Sequence, residues 1–433
     1  MDSTTVVALV LTVGGVLLFL GAPVGPLLAF SAMAGLYLLT GSIQAATSLT
    51  LVTSFDVASS ITYVVIPMFI FMGALASHTG IVRELFDAAY KMVGRFAGGL
   101  AVATCLASAA FGAVTGSSIS SASAMTKVAL PEMRKYGYSV RLSTGIIAVS
   151  GTFAMMLPPS LIMVFYGIVA QQSIGQLLIA GILPGLLSVL VFSVLILVRA
   201  RLNPAIAPKG PSFPLRDVVC SSFRASPFIL VLVVLIGGIL IGVWTPTEAS
   251  AAGVVVVAVI GFVKRKLTPR RFFNASVDAV VVSAAVLLLV MGSILFGRFL
   301  AMSGVTTNLT QMIVAAELSS FQLFLVLIVF YIALGTFLEG ISILALTVPI
   351  VMPIVIATGW DPIWFGVILV KLVEIGAVTP PVGLNLYAVK SVAPEVKTSD
   401  IFRGAVPFWL ADIGVLFLLF FVPQIALFLP SFV

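Results

Sequence analysis

The chain has 433 residues, 61% of them hydrophobic and 9% charged, where ordinary globular proteins run at roughly 45–50% and about 25%. Its 22 Lys and Arg and 15 Asp and Glu side chains cannot surface a soluble fold of this length, and mean hydropathy is +1.25. That excludes a cytosolic enzyme, a nucleic-acid binder and a disordered scaffold, and leaves an all-α polytopic membrane protein. The net charge of +7 then reads as a positive-inside bias rather than as an anionic partner. Cys105 and Cys220 lie too far apart in sequence and context to imply a disulfide framework. The opening Met1-Asp2-Ser3-Thr4-Thr5 carries no positive n-region, so the first apolar stretch is expected to be a retained span.

A helix crosses the hydrocarbon core with about 20 apolar residues. Apolar runs stand at 6–20, 24–40, 57–78, 98–130, 142–172 and 174–198, then, after a polar linker at 199–224, at 226–243, 247–263, 273–302, 321–356, 362–390 and 404–430. Seventeen of the 22 basic residues fall between Arg83 and Arg271 in four clusters, which are assigned to the cytoplasm. Segments near 41–55, 171–175, 244–248, 303–320 and 357–361 have no Lys or Arg and are assigned outside, as are both termini.

Because basic clusters flank 98–130 on both sides, that run must enter and return, turning at 112–121, where Gly and Ser favour non-helical backbone. The same reasoning makes 321–356 a second re-entrant hairpin, turning at 338–342. Residues 1–198 and 225–433 then carry the same parts in opposite orientation: three spans, a hairpin, a span with Pro-Pro (142–172 and 362–390) and a final span. Inverted repeats with broken helices are characteristic of secondary transporters.

Pro158-Pro159 and Pro380-Pro381 each remove a donor and split a span. Freed carbonyls need a partner in lipid, and a hard cation such as Na⁺ accepts oxygen ligands from half-helix C-termini while N-termini face a carboxylate. Thr152, Ser160, Thr379 and Asn385 add side-chain oxygens at the breaks, and Thr115, Ser117, Ser118, Ser120, Ser121 and Ser342 add them at the turns. The alternative for the serines is close helix packing. Ionisable groups inside spans are functional candidates by default. Lys371 and Glu374 stand three residues apart, a pairing distance that would stabilise the broken helix. Glu339 either orients its turn through backbone amides or shapes an ion site. Arg298 either snorkels to the outer interface or forks a substrate carboxylate. The Asp residues are expected mostly near span ends and too scattered for a proton relay. No catalytic motif or phosphate-binding loop is present, so a non-enzyme driven by an ion gradient is expected, with Na⁺ favoured over H⁺.

Several stretches carry a family resemblance: Ile66-Pro67-Met68-Phe69-Ile70-Phe71-Met72-Gly73, Phe111-Gly112-Ala113-Val114-Thr115-Gly116-Ser117-Ser118, Pro131-Glu132-Met133 and Leu157-Pro158-Pro159-Ser160. Others are Ala180-Gly181-Ile182-Leu183-Pro184-Gly185, Thr245-Pro246-Thr247-Glu248-Ala249 and Glu374-Ile375-Gly376-Ala377-Val378-Thr379-Pro380-Pro381-Val382-Gly383-Leu384-Asn385. In this order the chain resembles the large membrane subunit, the M or DctM-like subunit, of tripartite ATP-independent periplasmic (TRAP) transporters. The resemblance implies a Na⁺-driven symporter of the bacterial inner membrane that imports a small organic anion, such as a carboxylate, sugar acid or sulfonate. It implies two partners, a small four-helix (DctQ-like) membrane subunit and a periplasmic substrate-binding protein, and a transport domain that moves as an elevator. It assigns Gly116, Ser117, Ser118, Thr152 and Pro158, with Thr115, to one Na⁺ region, and Gly340, Ser342, Thr379, Pro380 and Gly383 to the other. Ser120, Ser121, Ser160, Arg298 and Asn385 are assigned to substrate, and Glu339, Lys371 and Glu374 to structure or coupling. The rival within transporters is a stand-alone Na⁺/dicarboxylate symporter or antiporter-like permease of similar architecture.

Overall fold

The computed structural model describes residues 2–432, and among them there is no β-sheet. The chain forms α1 (Ser3–Phe19), α2 (Val24–Thr40), α3 (Ile43–Ser59), α4 (Val65–His78), α5 (Ile81–Val93), α6 (Gly99–Thr115) and α7 (Ser118–Lys135). Next come α8 (Val140–Ser150), α9 (Phe153–Met156), α10 (Leu161–Val169), α11 (Ile174–Ala180), α12 (Ile182–Leu202), α13 (Leu215–Leu240) and α14 (Pro246–Val263). The remainder is α15 (Pro269–Ser303), α16 (Val305–Ala315), α17 (Ser320–Gly335), α18 (Gly340–Ala357), α19 (Pro362–Ala377), α20 (Leu384–Val392), α21 (Thr398–Phe421) and α22 (Gln424–Leu427). Among the described residues seven helices are long and apolar enough to cross a membrane, eight if the segments 140–156 and 161–169, bent by 42°, form one span.

Local chemistry sets the element ends. Thr245 caps α14 with a reciprocal box: its hydroxyl accepts from the Glu248 amide, and the Glu248 carboxylate accepts from the Thr245 amide at 2.8 Å, with Pro246 as the first helical residue. Ser319 and Gln322 repeat the device at α17. Leu157, the residue before Pro158, is extended, as the proline ring requires, so α9 ends there. Ser160 restarts the chain as α10 by capping it. At the second break Gly383 takes φ +60°, a left-handed conformation that favours glycine, and α20 begins at the next residue.

Three helices occupy stretches that the length of apolar runs leaves blank: α3, α5 and α16. The clearest is α5. It buries Ile81, Val82, Leu85 and Phe86 along one face while Arg83 is exposed, so its signal is a 3.6-residue period and not overall hydrophobicity. The 174–198 run also divides, into α11 and α12, at Gly181, where an added Cβ would collide with the Met156 carbonyl.

Helices α2, α4, α14 and α15 pack on one another, with α13 against α5 and α14. A second group joins α6–α9 to α17 and α19–α21: α8 lies along α21, α20 along α7 and α8, and α17 along α19. The two groups meet where α4 touches α6 and α10, and where α15 touches α10 and α18. Hydrogen bonds fix the directions inside the second group. Arg141 at the start of α8 reaches Asp400 at the start of α21 (2.7 Å). Tyr166 on α10 donates to the Pro362 carbonyl (2.7 Å), and Trp364 on α19 donates to the Leu419 carbonyl at the far end of α21 (3.0 Å). The segment α8–α10 therefore runs antiparallel to α19–α20.

Candidate transport site

The first turn, between α6 and α7, is closed by the Gly116 amide bonding the Gly112 carbonyl at 2.7 Å, with Gly116 at φ +63°. A Cβ on Gly116 would stand 3.2 Å from the Pro159 carbonyl oxygen, and one on Gly151 would stand 3.0 Å from the Ser118 carbonyl oxygen. The turn thus rests directly on the first helix break, against the Pro159 carbonyl and the Leu161 side chain. Thr115, Gly116, Ser117, Ser118, Thr152 and Pro158 are brought into one region. Ser117 accepts from the Ser120 amide and contacts its hydroxyl at 3.0 Å; the buried Thr152 hydroxyl donates to the Val149 carbonyl at 2.8 Å.

The second turn, between α17 and α18, packs on α19 through a glycine contact: a Cβ on Gly335 would stand 2.6 Å from the Gly376 Cα. A Cβ on Gly340 would meet both Val373 and Ile162, the latter one turn after the first break. Both hairpin turns therefore converge on residues 159–162. The Glu339 carboxylate accepts from the Ile341 and Ser342 amides at 3.1 and 3.4 Å, capping the N-terminus of α18. At the second break the Thr379 hydroxyl donates to the Ile375 carbonyl (2.6 Å) and accepts from Trp409 Nε1 (2.7 Å). Thr379, Pro380 and Gly383 form one loop, and a Cβ on Gly383 would lie 3.3 Å from the Thr379 carbonyl oxygen.

The residues assigned to substrate do not share one place. Ser120 lines a cleft of ≈ 260 Å³ together with Thr115, Ser117, His78 and Asp278. Ser160 is buried, donating to the Met155 carbonyl and capping α10. Asn385 is buried and donates to the Ala148 carbonyl at 3.2 Å, tying the second break to the helix before the first. Its Oδ1 and the buried Ser121 hydroxyl have no hydrogen-bond partner among the described residues. Arg298 is elsewhere. It lines a separate cleft of ≈ 770 Å³ between α3, α10, α15 and α18, donating to Thr53 at 2.6 Å and standing 3.6 Å from Asp56.

Lys371 and Glu374 are fully buried and 2.8 Å apart. The sequence missed their third partner. Asp412 on α21, expected like most aspartates near a span end, is instead buried with Oδ1 2.6 Å from Lys371 Nζ, and Ser188 on α12 accepts from the same ammonium at 2.9 Å. A lone carboxylate inside the apolar run 404–430 was the available signal. Thr53 and Asp56 as partners of Arg298 had no sequence signal, because α3 itself was not anticipated.

The fold and these motifs can be set beside known proteins. Residues 11–425 match the family described as tripartite ATP-independent periplasmic transporter, DctM component. The chain belongs to this family. It is 32% identical over 378 residues to the C4-dicarboxylate TRAP transporter large permease protein DctM of Pseudomonas aeruginosa, covering 87% of this chain and 88% of that protein. It is 32% identical over 417 residues to the sialic acid TRAP transporter large permease protein SiaM of Vibrio cholerae, covering 96% of each. With the ectoine/5-hydroxyectoine TRAP transporter large permease protein UehC of Ruegeria pomeroyi it shares 32% identity over 368 residues, 84% of this chain and 85% of that one. Among solved structures the YdaH transporter of Alcanivorax borkumensis superposes with a TM-score of 0.61 at 12% identity, over 91% of this chain and 88% of that chain, a likeness of fold. This TRAP large permease is a multi-pass membrane protein.

Proposed function

We propose that this permease is the transmembrane subunit of a Na⁺-coupled symporter that imports a small organic anion across the bacterial inner membrane. The observation that carries the reading is the convergence of both hairpin turns, through Gly116 and Gly340, on the interrupted helix at 159–162. Interrupted helices supply carbonyls to a cation and amides to an anion. The first ion region is then Thr115–Ser118 with Thr152 and Pro158, and the second Gly340, Ser342, Thr379, Pro380 and Gly383. The unpartnered, buried Ser121 hydroxyl and Asn385 Oδ1 are oxygens suited to a dehydrated ion or a substrate hydroxyl.

The antiparallel course of α8–α10 and α19–α20 supports the inverted-repeat reading, with residues 1–198 and 225–433 as the two copies, 199–224 as a cytoplasmic linker and both termini periplasmic. In the elevator reading, α6–α10 and α17–α21 move as a unit against the frame of α2, α4, α14 and α15, sliding along the α4–α6, α4–α10 and α15–α18 contacts. One charge crossing with the potential gains about 2.3 kcal/mol per 100 mV, so about two Na⁺ per cycle would drive strong accumulation. The substrate classes carried by the relatives, C4-dicarboxylates, sialic acid and ectoines, make a small carboxylate the expected cargo. A four-helix small subunit and a periplasmic binding protein complete the system.

The test is uptake into proteoliposomes holding this chain and its two partner proteins, over a panel of organic acids with and without an inward Na⁺ gradient. Uptake that ignores Na⁺ overturns the coupling. Uptake by this chain alone makes it a stand-alone permease.

A further inference from the structure

The cleft beside the first hairpin turn does not close on itself. Ser77 and His78, at the end of α4, line that cleft and also a neighbouring one of ≈ 810 Å³. The two cavities share the last turn of α4 as a common wall. Ser117 and Ser120 belong to the inner one; Arg83, Arg224, Lys266 and Arg271 belong to the outer one.

Cations set the field of the outer cleft. Its acids, Glu84 and Asp87, are each matched by a lysine that is not in its lining. Lys264 Nζ stands 2.5 Å from Glu84, and Lys91 Nζ stands 3.0 Å from Asp87. Lys266 lies 3.8 Å from Glu84, and Arg271 donates to the Lys266 carbonyl at 2.7 Å. The Arg83 and Arg224 guanidinium groups have no hydrogen bond or ion pair among the described residues and are exposed. A concave surface of one sign concentrates the opposite ion.

The wall that the two cavities share carries the opposite problem. His78 and Asp278 are the ionisable side chains of the inner cleft. Asp278 is a carboxylate on α15 in the path of an anion. His78 Nε2 lies 3.1 Å from its Oδ2, and the carboxylate there makes Nε2 the donor. Asp278 and Arg298, twenty residues apart on α15, are separated by about 30 Å of helix, one hydrocarbon thickness. The inner route and the Arg298 cleft thus open toward opposite ends of that helix.

We infer that the continuous path from Ser117 and Ser120 past His78 and Asp278 to Arg83, Arg224, Lys266 and Arg271 is the passage by which an anionic substrate travels between the first hairpin turn and the membrane face bearing the basic loops. His78 shields the Asp278 carboxylate at the shared wall, and the four basic side chains form an electrostatic funnel. The inference rests on the transport reading, yet it is tested without transport.

In the full chain with Cys105→Ser and Cys220→Ser, Ser77→Cys places one thiol at the junction. Its rates with the anionic sulfonatoethyl, cationic trimethylammonioethyl and neutral methyl methanethiosulfonates are measured in detergent and normalised to a free thiol. The anionic reagent is expected to be preferred by about fivefold or more, and the preference to collapse near 1 M salt, where the screening length falls to about 3 Å. Arg83→Gln with Arg224→Gln should remove most of the preference and leave the neutral reagent's rate unchanged. His78→Gln should slow the anionic reagent about threefold, and in an Asp278→Asn background the same change should have no effect, a coupling that a purely packing role for His78 does not predict. A wild-type vestibule with no preference for the anion overturns the inference, and so does a preference indifferent to salt. An effect of His78→Gln that persists in the Asp278→Asn background overturns the shielding role. Because no substrate, partner or Na⁺ gradient is involved, these outcomes are independent of whether the uptake experiment succeeds.

Discussion

Replacing Lys371 by Met should damage this protein more than any other single change in the group α19–α21. The ammonium sits 2.8 Å from Glu374 and 2.6 Å from Asp412, is buried away from solvent, and donates to Ser188 at 2.9 Å. Three helices, α12, α19 and α21, are tied through one nitrogen. Removing it leaves two carboxylates facing each other without a cation in a fully buried site, and breaking a buried pair in this way costs about 3–5 kcal/mol. Ser188→Ala removes a single hydrogen bond to a charged donor and should cost about 1.5–3 kcal/mol at most. Asp412→Asn keeps the shape of the cluster and leaves one cation facing one anion, so it should be tolerated far better than Lys371→Met. The assay is thermal unfolding of the purified chain in detergent, followed by intrinsic tryptophan fluorescence, since Trp364 and Trp409 lie on the helices that the cluster joins. The order Lys371→Met, then Ser188→Ala and Asp412→Asn, is the content of the prediction. A Lys371→Met protein that melts with wild type, or an Asp412→Asn protein that melts below it, would refute the assigned charge balance.

Gly376→Val should cost about 1–3 kcal/mol or more, because its Cβ would meet the Gly335 Cα at 2.7 Å and drive the second turn off α19; loss of uptake at retained expression is the readout. Thr379→Ala removes the acceptor of Trp409 Nε1, so it should lower stability by about 1–3 kcal/mol as well as weaken Na⁺ activation, whereas Thr379→Ser should preserve the melting temperature. Ser118→Ala, whose hydroxyl is free of such a partner among the described residues, is the cleaner ion-site probe: Na⁺ activation of uptake should shift to higher concentration with abundance unchanged, and an unshifted curve would remove Ser118 from the site. Arg298→Lys should impair uptake if the guanidinium exchanges Asp56 and Thr53 for a substrate carboxylate, and Asp56→Asn should ease that exchange. Wild-type kinetics in both variants would leave Arg298 a tether between α3 and α15.

Hydropathy, the placing of Lys and Arg and two Pro-Pro pairs were enough to make this chain a helical membrane protein whose helices end at both Pro-Pro pairs and at the turns after Thr115 and Gly335. Those features are written locally: a proline ring blocks its own donor, and a glycine or serine turn frees its own backbone, wherever the rest of the chain lies. The pairing of Lys371 with Glu374 was legible for the same reason, three residues being one turn of helix. What tertiary structure alone decided is which distant groups meet. Asp412 joins Lys371 from 41 positions away, Asn385 reaches back to Ala148, Asp56 finds Arg298, and His78 finds Asp278. Apolar composition makes neighbouring spans interchangeable in sequence, so nothing short of the packed bundle says which helix faces which. Helix α5 shows the intermediate case, since its amphipathic period is present in the sequence but Arg83, Glu84, Asp87 and Lys91 break it up as an apolar run. The meeting of both hairpin turns at 159–162 is the furthest from sequence: it depends on glycines chosen for what they lack, and the absent Cβ has meaning only once the opposing residues are in place.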